Sequence, residues 1–330
     1  MLKLGIKQHI LISRIDAIGD IVLTLPMCRY IKVLYPDASI SFLAKTYTLP
    51  VLKCSNEIDC LFNFDDLVKL SDDEQIAFFK SKNIDAIIHV FPNKHLALLA
   101  KKAKIPLRIG TRNRLYHWLT CNILVKLSRK NSTLHEAQLN LCLLRPLGLK
   151  TVPELLEIKQ HFDLKPTVTL SPSLNCLLIK NKFNLLIHPK SNGSGAEWSL
   201  DSYEKLIQLL PPEKFNIIIT GSEKEKQFLK DWINALPAHV IDATGLMNLD
   251  EFIAFIYQAD GLIAAGTGPL HLASALGINT LGLFPSVRPI HPGRWAPLGK
   301  RSEYLESGTD ILETITAFDV YERIKNWHKP

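Results

Sequence analysis

A chain of 330 residues, 47% hydrophobic and 22% charged, has the make-up of a globular protein of about two domains. No stretch approaches about 18 apolar residues, and the opening MLKLGIKQHILISRID lacks a signal-peptide core, so neither a membrane span nor export is expected. The net charge of +7 favours an anionic partner (nucleotide, nucleic acid, phospholipid or phosphorylated glycan). The six cysteines include no C-x-x-C pair, which argues against a zinc site or a disulfide framework and for buried thiols in a reducing cytoplasm.

In chain order, His9–Arg14 reads as the first strand. The loop Ile15-Asp16-Ala17-Ile18-Gly19 follows, and Asp20 opens a helix to about Leu34 that Pro26 can bend or delay. Ser39–Ala44, Cys60–Phe64, Ala86–Val90 and Leu107–Gly110 are strands, and Glu74–Lys82 and His95–Lys104 are helices. Leu115–Leu127 is irregular or helical. Thr133 and Glu136 have capping-box spacing and open a helix that Pro146 to Gly148 ends. The interval 149–182, with Pro153, Pro166 and Pro172, reads as a linker with an edge hairpin or strand, placing the domain boundary near 165–178. The second half repeats the pattern. Strands Asn184–Ile187, Asn216–Thr220 and Val240–Asp242 alternate with helices Leu200–Leu210, Glu223–Leu236 and Leu249–Gln258. Leu262–Ala265 and Thr280–Phe284 are strands on either side of a helix that starts at Pro269 and stops at Gly277. Ile311–Trp327 closes the chain as an amphipathic helix. Short apolar runs alternating with helices imply an α/β fold of parallel β-α-β units. Two such halves suggest a ligand cleft between them, facing the strand C-termini.

Six places could carry chemistry. Gly266-Thr267-Gly268 joins a strand to a bare helix N-terminus, whose free N–H groups and dipole suit an anion, and His271 can face the same spot. Any parallel sheet also needs small residues at such turns. Asp20 is either an N-cap or a carboxylate able to take a proton from a hydroxyl nucleophile. Arg14, in the same loop as Asp16, is either an ion-pair partner or an anion ligand. The loop His188–Trp198 supplies Lys190, the hydroxyls of Ser191 and Ser194, and backbone N–H groups that suit a diphosphate; otherwise it is a solvated loop. It lacks the third glycine of a dinucleotide fingerprint and the Gly-Lys-Ser/Thr of a P-loop. Glu223 or Glu225 could hold a ribose diol, or simply favour a helix N-terminus. Arg288, His291, Arg294 and Trp295 could grip a phosphate or sugar, or form a solvated loop pinned by one aromatic. A basic run from Lys101 to Arg114, with Lys126, Arg129 and Lys130, could meet lipid head groups or a phosphorylated acceptor, or be a solvated face. No cluster has metal-ligand spacing, and no G-x-S-x-G elbow occurs.

Together these residues resemble glycosyltransferase family 9, the lipopolysaccharide heptosyltransferase family. Ile10–Pro26, with Gly19-Asp20 and Leu25-Pro26, is similar to its opening motif. His188–Trp198 is similar to its central phosphate loop, and Gly266–His271 followed by Ala273–Gly277 to its diphosphate-binding motif. The resemblance implies a GT-B fold of two Rossmann-like domains facing across a cleft. Residues 1–170 would bind the acceptor, 171–312 the nucleotide-sugar donor, and a helix in 313–330 would pack back on the first domain. It implies an inverting, metal-independent glycosyltransferase that moves a sugar, commonly heptose from ADP-heptose, onto a lipopolysaccharide core or related envelope glycan. No cofactor is implied beyond the nucleotide-sugar co-substrate. Asp20 would be the base. Lys190 and the amides around Thr267–His271 would stabilise the departing diphosphate, and Glu223 or Glu225 would hold the ribose. The implied partners are the donor and a lipid-linked glycan acceptor at the inner membrane surface, with no nucleic acid. The implied state is a cytoplasmic monomer, peripheral on the inner face of that membrane.

Two positions depart from the family pattern. Gly266 stands where the family often has Asp, and Glu197 where it often has Lys or Arg before the tryptophan. Both alter charge near the donor and point to another sugar, another nucleotide, or a subgroup in which Lys190, Arg288 and Arg294 take over. The competing readings are a transferase using another nucleotide-sugar, a non-catalytic nucleotide-sugar or glycan binder, and a nicotinamide oxidoreductase. The last lacks a Gly-rich turn in the first half. Nucleic-acid binding lacks aromatics interleaved with the basic residues.

Overall fold

The computed structural model describes residues 8–130, 132–162, 164–191, 193 and 195–330. The chain divides into two compact units, Met1–His161 and Phe162–Pro330, a boundary just ahead of the expected interval.

In the first unit, β1 (His9–Ser13), β2 (Ser39–Ala44), β3 (Cys60–Asn63), β4 (Ala86–His89), β5 (Leu107–Thr111) and β6 (Ile123–Val125) form one parallel sheet in the order β3-β2-β1-β4-β5-β6. The central strands are buried almost throughout, as expected of a parallel sheet covered on both faces. On one face Leu11, Leu43, Phe62 and Ile87 pack against Phe79, Leu96 and Leu99. Fully burying each such side chain contributes about 1.5–3 kcal/mol. The strand order reverses between β1 and β4, so the loops leaving these strands part and open a crevice at their C-terminal ends.

Local chemistry departs from the expected elements in three places. Pro26 does not bend one long helix; it starts a second. Ile18–Val22 ends, and Pro26–Leu34 begins with the proline in its first turn, where no N–H is required. Thr133 and Glu136 form no capping box. The helix Glu136–Leu141 is capped by His135, whose Nδ1 accepts from the Ala137 N–H at 3.2 Å, while Gln138 accepts from the His135 N–H at 3.2 Å. Leu115–Leu127 resolves into the helix Leu115–Thr120 and β6. Within 149–182 the described residues form short helices, Leu155–Ile158 and Pro172–Asn175, and no hairpin.

The second unit repeats the plan. β7 (Phe183–His188), β8 (Phe215–Ile219), β9 (Ile241–Asp242), β10 (Gly261–Ala265), β11 (Asn279–Phe284) and β12 (Ser302–Glu306) run parallel in the order β12-β11-β10-β7-β8-β9. The reversal falls between β7 and β10. Trp198, fully buried, donates its indole N–H to the Ile315 carbonyl at 3.0 Å and meets Tyr203 edge-on.

The closing helix is shorter than expected, Ala317–Ile324, and its apolar residues pack within the second unit. Val320, Ile324 and Trp327 join the core built by Tyr203, Leu206, Ile207 and Phe215 of the second unit, beside the helix Leu200–Leu209. Gly261 makes the room: a Cβ there would stand 2.9 Å from the Trp327 ring. Val320 and Ile324, one turn apart, therefore spend the helix's apolar stripe on its own unit. The six cysteines are free thiols; Cys60 and Cys176 are exposed, the other four buried. Among the described residues no helix is long and apolar enough to cross a membrane.

Candidate active site

In the second unit the loops that leave β7 and β10 adjoin. A Cβ on Gly195 would lie 3.3 Å from the Gly266 carbonyl oxygen, so the first loop rests on the second turn. That turn ends at Thr267, the N-cap of the helix Gly268–Ala275, with Pro269 in the first turn. Thr267 makes no side-chain cap, and its buried hydroxyl has no hydrogen-bond partner among the described residues. The first N–H groups of the helix face the same crevice with the positive end of its dipole. His271 is buried one turn in, its ring 6.4 Å from that of Trp295, and the Arg294 guanidinium lies 4.9 Å over Trp295. Trp295 donates its indole N–H to the Pro289 carbonyl at 2.9 Å, closing the 288–295 loop. Within that loop Arg288 is exposed. His291 is the N-cap residue of the short helix Pro292–Trp295 without a side-chain cap bond, and partial burial with Arg288 nearby pushes its imidazole pKa down.

The loop after β7 is organised by Glu197. Its carboxylate accepts from the Lys190 ammonium at 2.7 Å, the Ser191 amide at 2.8 Å and the Ser191 hydroxyl at 3.0 Å. Burial works against the charge, but these donors outweigh it and hold the carboxyl below its ordinary range. An ammonium, an amide and a hydroxyl are what a phosphate oxygen would seek, and here they converge on a side-chain carboxylate. Ser194 lies outside the described residues.

Gly266 also has a local cause. A Cβ there would stand 2.8 Å from the Phe284 ring, which also covers Gly282. Phe284, at the end of β11, therefore occupies the space an aspartate at position 266 would need. Glu225 sits in a capping box: one oxygen accepts from the Ser222 amide and hydroxyl at 2.6 and 2.8 Å, and the side chain is buried. Glu223 is exposed beside Gly245, whose φ of +70° and missing Cβ admit the Glu223 carboxylate. Of the two acids, Glu223 is the one open to a ligand.

In the first unit the loop after β1 carries a compact charge cluster. Asp20 is the third residue of the helix Ile18–Val22, whose N-cap is Ala17, so Asp20 is not an N-cap. Arg14 is buried and spends all five guanidinium N–H groups on protein. Nε and Nη2 pair with Asp16 at 2.8 and 3.0 Å, Nη2 also pairs with Asp20, and Nη1 reaches Glu136 at 3.2 Å and Asn140 at 2.9 Å. This is the ion-pair role; a phosphate could reach Arg14 only by displacing one of these partners. Burial disfavours the guanidinium charge, but Asp20, Asp16 and Glu136 more than offset it. Arg129 supports the far side, donating to Glu136 at 2.9 Å and Asn140 at 3.0 Å. Asn140 in turn donates to the Leu23 carbonyl at 3.1 Å and the Thr24 hydroxyl at 3.2 Å, and Thr24 donates to the Asp20 carbonyl at 2.7 Å. Burial pushes the Asp20 carboxyl up to about 6, with Arg14 pulling down and Asp16 and Glu136 pushing up.

The sequence reading missed Glu136 and Asn140. Their signal is a polar pair at i,i+4 in a helix whose other residues are Ala137, Gln138, Leu139 and Leu141. It also missed Phe284 and Gly245, whose parts depend on contacts distant in sequence.

Two doubly wound parallel sheets, each with its loops gathered at a strand-order reversal, define the GT-B class of α/β fold. Solved structures agree with this. The glycosyl transferase family 9 protein from Veillonella parvula superposes with a TM-score of 0.80 over 97% of each chain at 16% identity. The Escherichia coli heptosyltransferase WaaC with ADP superposes with a TM-score of 0.75 over 97% of this chain and 100% of that one at 18% identity. In sequence, the lipopolysaccharide heptosyltransferase 1 of Campylobacter coli is 26% identical across 96% of this chain and 98% of its own. The sequence model of glycosyltransferase family 9 (heptosyltransferase) matches residues 78–324, and the chain belongs to that family. It is a glycosyltransferase.

Proposed function

We propose that this enzyme transfers a heptose-type sugar from an ADP-sugar to a lipopolysaccharide-core or related glycan acceptor, with inversion and without a metal. The observation that carries the reading is the Asp20 carboxylate. It is raised to about 6 by burial, aligned by Arg14, and set at the crevice of its sheet. A base with that pKa is mostly ionised at neutral pH yet basic enough to take a proton from a sugar hydroxyl. The ionised acceptor oxygen attacks the anomeric carbon from the face opposite the diphosphate; the carbon–oxygen bond to the diphosphate breaks, and the configuration inverts. The helix N–H groups of Gly268 and Leu270, with Lys190 and Ser191, receive the diphosphate charge, Arg294 and Arg288 border it, and Glu223 holds the ribose. The donor nucleotide is supported by the ADP bound to the related WaaC structure, and the acceptor by the names of the relatives. Such an acceptor is lipid-linked, so the enzyme works at a membrane surface.

Thermal shift with ADP, UDP and GDP, and then with their sugars, tests the nucleotide. ADP ligands should stabilise the protein, by about 2.7 kcal/mol at a hundredfold excess over Kd, while the others do little. Stabilisation by UDP or GDP ligands alone would overturn the assignment. The charge at position 197 gives a second test. Glu197→Gln keeps an acceptor for Ser191 but removes the anion from Lys190. ADP should then bind about three- to tenfold tighter by calorimetry, because one negative charge no longer opposes the diphosphate. Unchanged or weaker binding would place the diphosphate away from this loop.

A further inference from the structure

The residues after β5 build a helix of inverted polarity. Leu115–Thr120 turns His117 and Thr120 inward, while Leu115, Trp118 and Leu119 stand 87%, 54% and 74% exposed. Positions 115, 118 and 119 share one helix face, so the outward surface is a continuous apolar ridge. The ridge is held rigidly. His117 Nδ1 accepts from the Thr111 amide at 3.0 Å, and its ring fills the space over Gly110, where a Cβ would come within 2.6 Å. Trp118 donates its indole N–H to the Arg112 carbonyl at 3.0 Å, with the Arg112 guanidinium 5.6 Å over its ring. From the neighbouring helix Lys94–Lys102, the Lys101 ammonium donates to the Leu119 carbonyl at 2.8 Å, and Leu98 extends the apolar surface.

The charge around this ridge has one sign. Between Asp85 and Glu136 the chain has ten Lys or Arg and no acid. Arg112, Arg114, Lys101 and Lys102 are all exposed; Lys102 faces Asp72 at 3.7 Å. An apolar ridge with an amphipathic tryptophan, ringed by cations of which Lys102 faces an acid, fits the boundary between acyl chains and anionic head groups. A protein partner would need both an apolar groove and a matching acidic rim; an anionic bilayer offers both features to any approach.

We infer that the face formed by Leu98, Leu115, Trp118 and Leu119 with Arg112 and Arg114 docks on an anionic phospholipid bilayer, the three helix residues entering it and the arginines resting on phosphates. This deepens the membrane-surface placement proposed above and is independent of which sugar moves. The helix starts just after the C-terminal end of β5 and runs back along the strand, so that the Thr120 carbonyl accepts from Arg108 at 2.8 Å near its start; the ridge therefore lies along the flank of the first unit's sheet.

Vesicle sedimentation of the full chain tests this without donor or acceptor, so its outcome is separate from that of a transfer assay. Vesicles of phosphatidylcholine with phosphatidylglycerol should bind the protein, phosphatidylcholine alone should bind it at least about tenfold less, and high salt should release much of it. The combined variant Leu115→Ser, Trp118→Ser and Leu119→Ser should bind at least about tenfold more weakly. Its melting temperature should stay within a few degrees of the parent's, because the three side chains are exposed. Arg112→Glu with Arg114→Glu should abolish the preference for phosphatidylglycerol. Equal binding to both vesicle types, or undiminished binding by the folded serine variant, would overturn the inference. So would self-association that is lost in the serine variant, which would make the ridge a protein interface.

Discussion

Asp20→Asn should lower the turnover of sugar transfer by about 10²–10⁴-fold while ADP affinity stays within about twofold of the parent's. Asparagine keeps the shape and can still accept from Arg14, but it cannot take a proton. The cluster around it has no substitute: Glu136 is fully buried between Arg14 and Arg129, and Asp16 is held by two N–H groups of Arg14. The parent's pH profile follows from the same carboxylate. The ionised form acts, and burial raises its pKa to about 6, so kcat/KM should rise with pH through about 6 and then level off. The residual activity of the Asn variant should lack that limb. Full activity in Asp20→Asn, or the same limb in both proteins, would remove Asp20 from the proton transfer. Steady-state kinetics across pH and ADP calorimetry make the comparison.

Both sheets were legible in the chain because parallel strands buried on two faces appear as short, near-continuous apolar runs, as in Ala86–His89 and Gly261–Ala265. β12 was not, because Ser302–Glu306 is an edge strand that leaves Glu303 and Tyr304 exposed. β6, at the edge of the other sheet, has only three residues, too few to show a period. Helix starts were read well where the cap is local and missed where it is unusual. Ser222 with Glu225 follows the familiar spacing, whereas His135 with Gln138 does not resemble a cap until its imidazole is seen accepting a backbone N–H. In the site, glycine turns and lone acids could be picked out one at a time. Which of them act together is decided by contacts far apart in sequence. Arg14 reaches Glu136 and Asn140, and Phe284 fills the space beside Gly266. The closing helix shows the same limit. Its amphipathic stripe announces that one face is buried, but only the cavity left by Gly261 says where.

Arg14→Met should destabilise the first unit by about 3 kcal/mol at pH 8, at the lower end of what removing one member of a buried ion pair costs. The lower end is expected because Asp16 and Asp20 retain some solvent and Glu136 keeps Arg129. The loss should depend on pH, and its sign follows from the carboxylates. Without the guanidinium, Asp20 is a buried acid facing Asp16 and Glu136, so its pKa rises further above about 6. A group whose folded pKa is raised stabilises the folded state below its unfolded pKa and loses that stabilisation as pH rises through the folded value. The variant should therefore lie closest to the parent near pH 5 and fall behind it towards pH 8. Urea unfolding at several pH values reads the difference. Arg14→Lys separates charge from geometry: an ammonium restores the charge but cannot donate five N–H bonds in a planar fork. It should recover much of the stability at pH 8 while transfer stays at least about tenfold down, because Asp20 loses its alignment. A gap between Met variant and parent that is constant from pH 5 to pH 8 would mean that Arg14 acts by packing alone, and the account of Asp20 as a base aligned by its ion pair would fall with it.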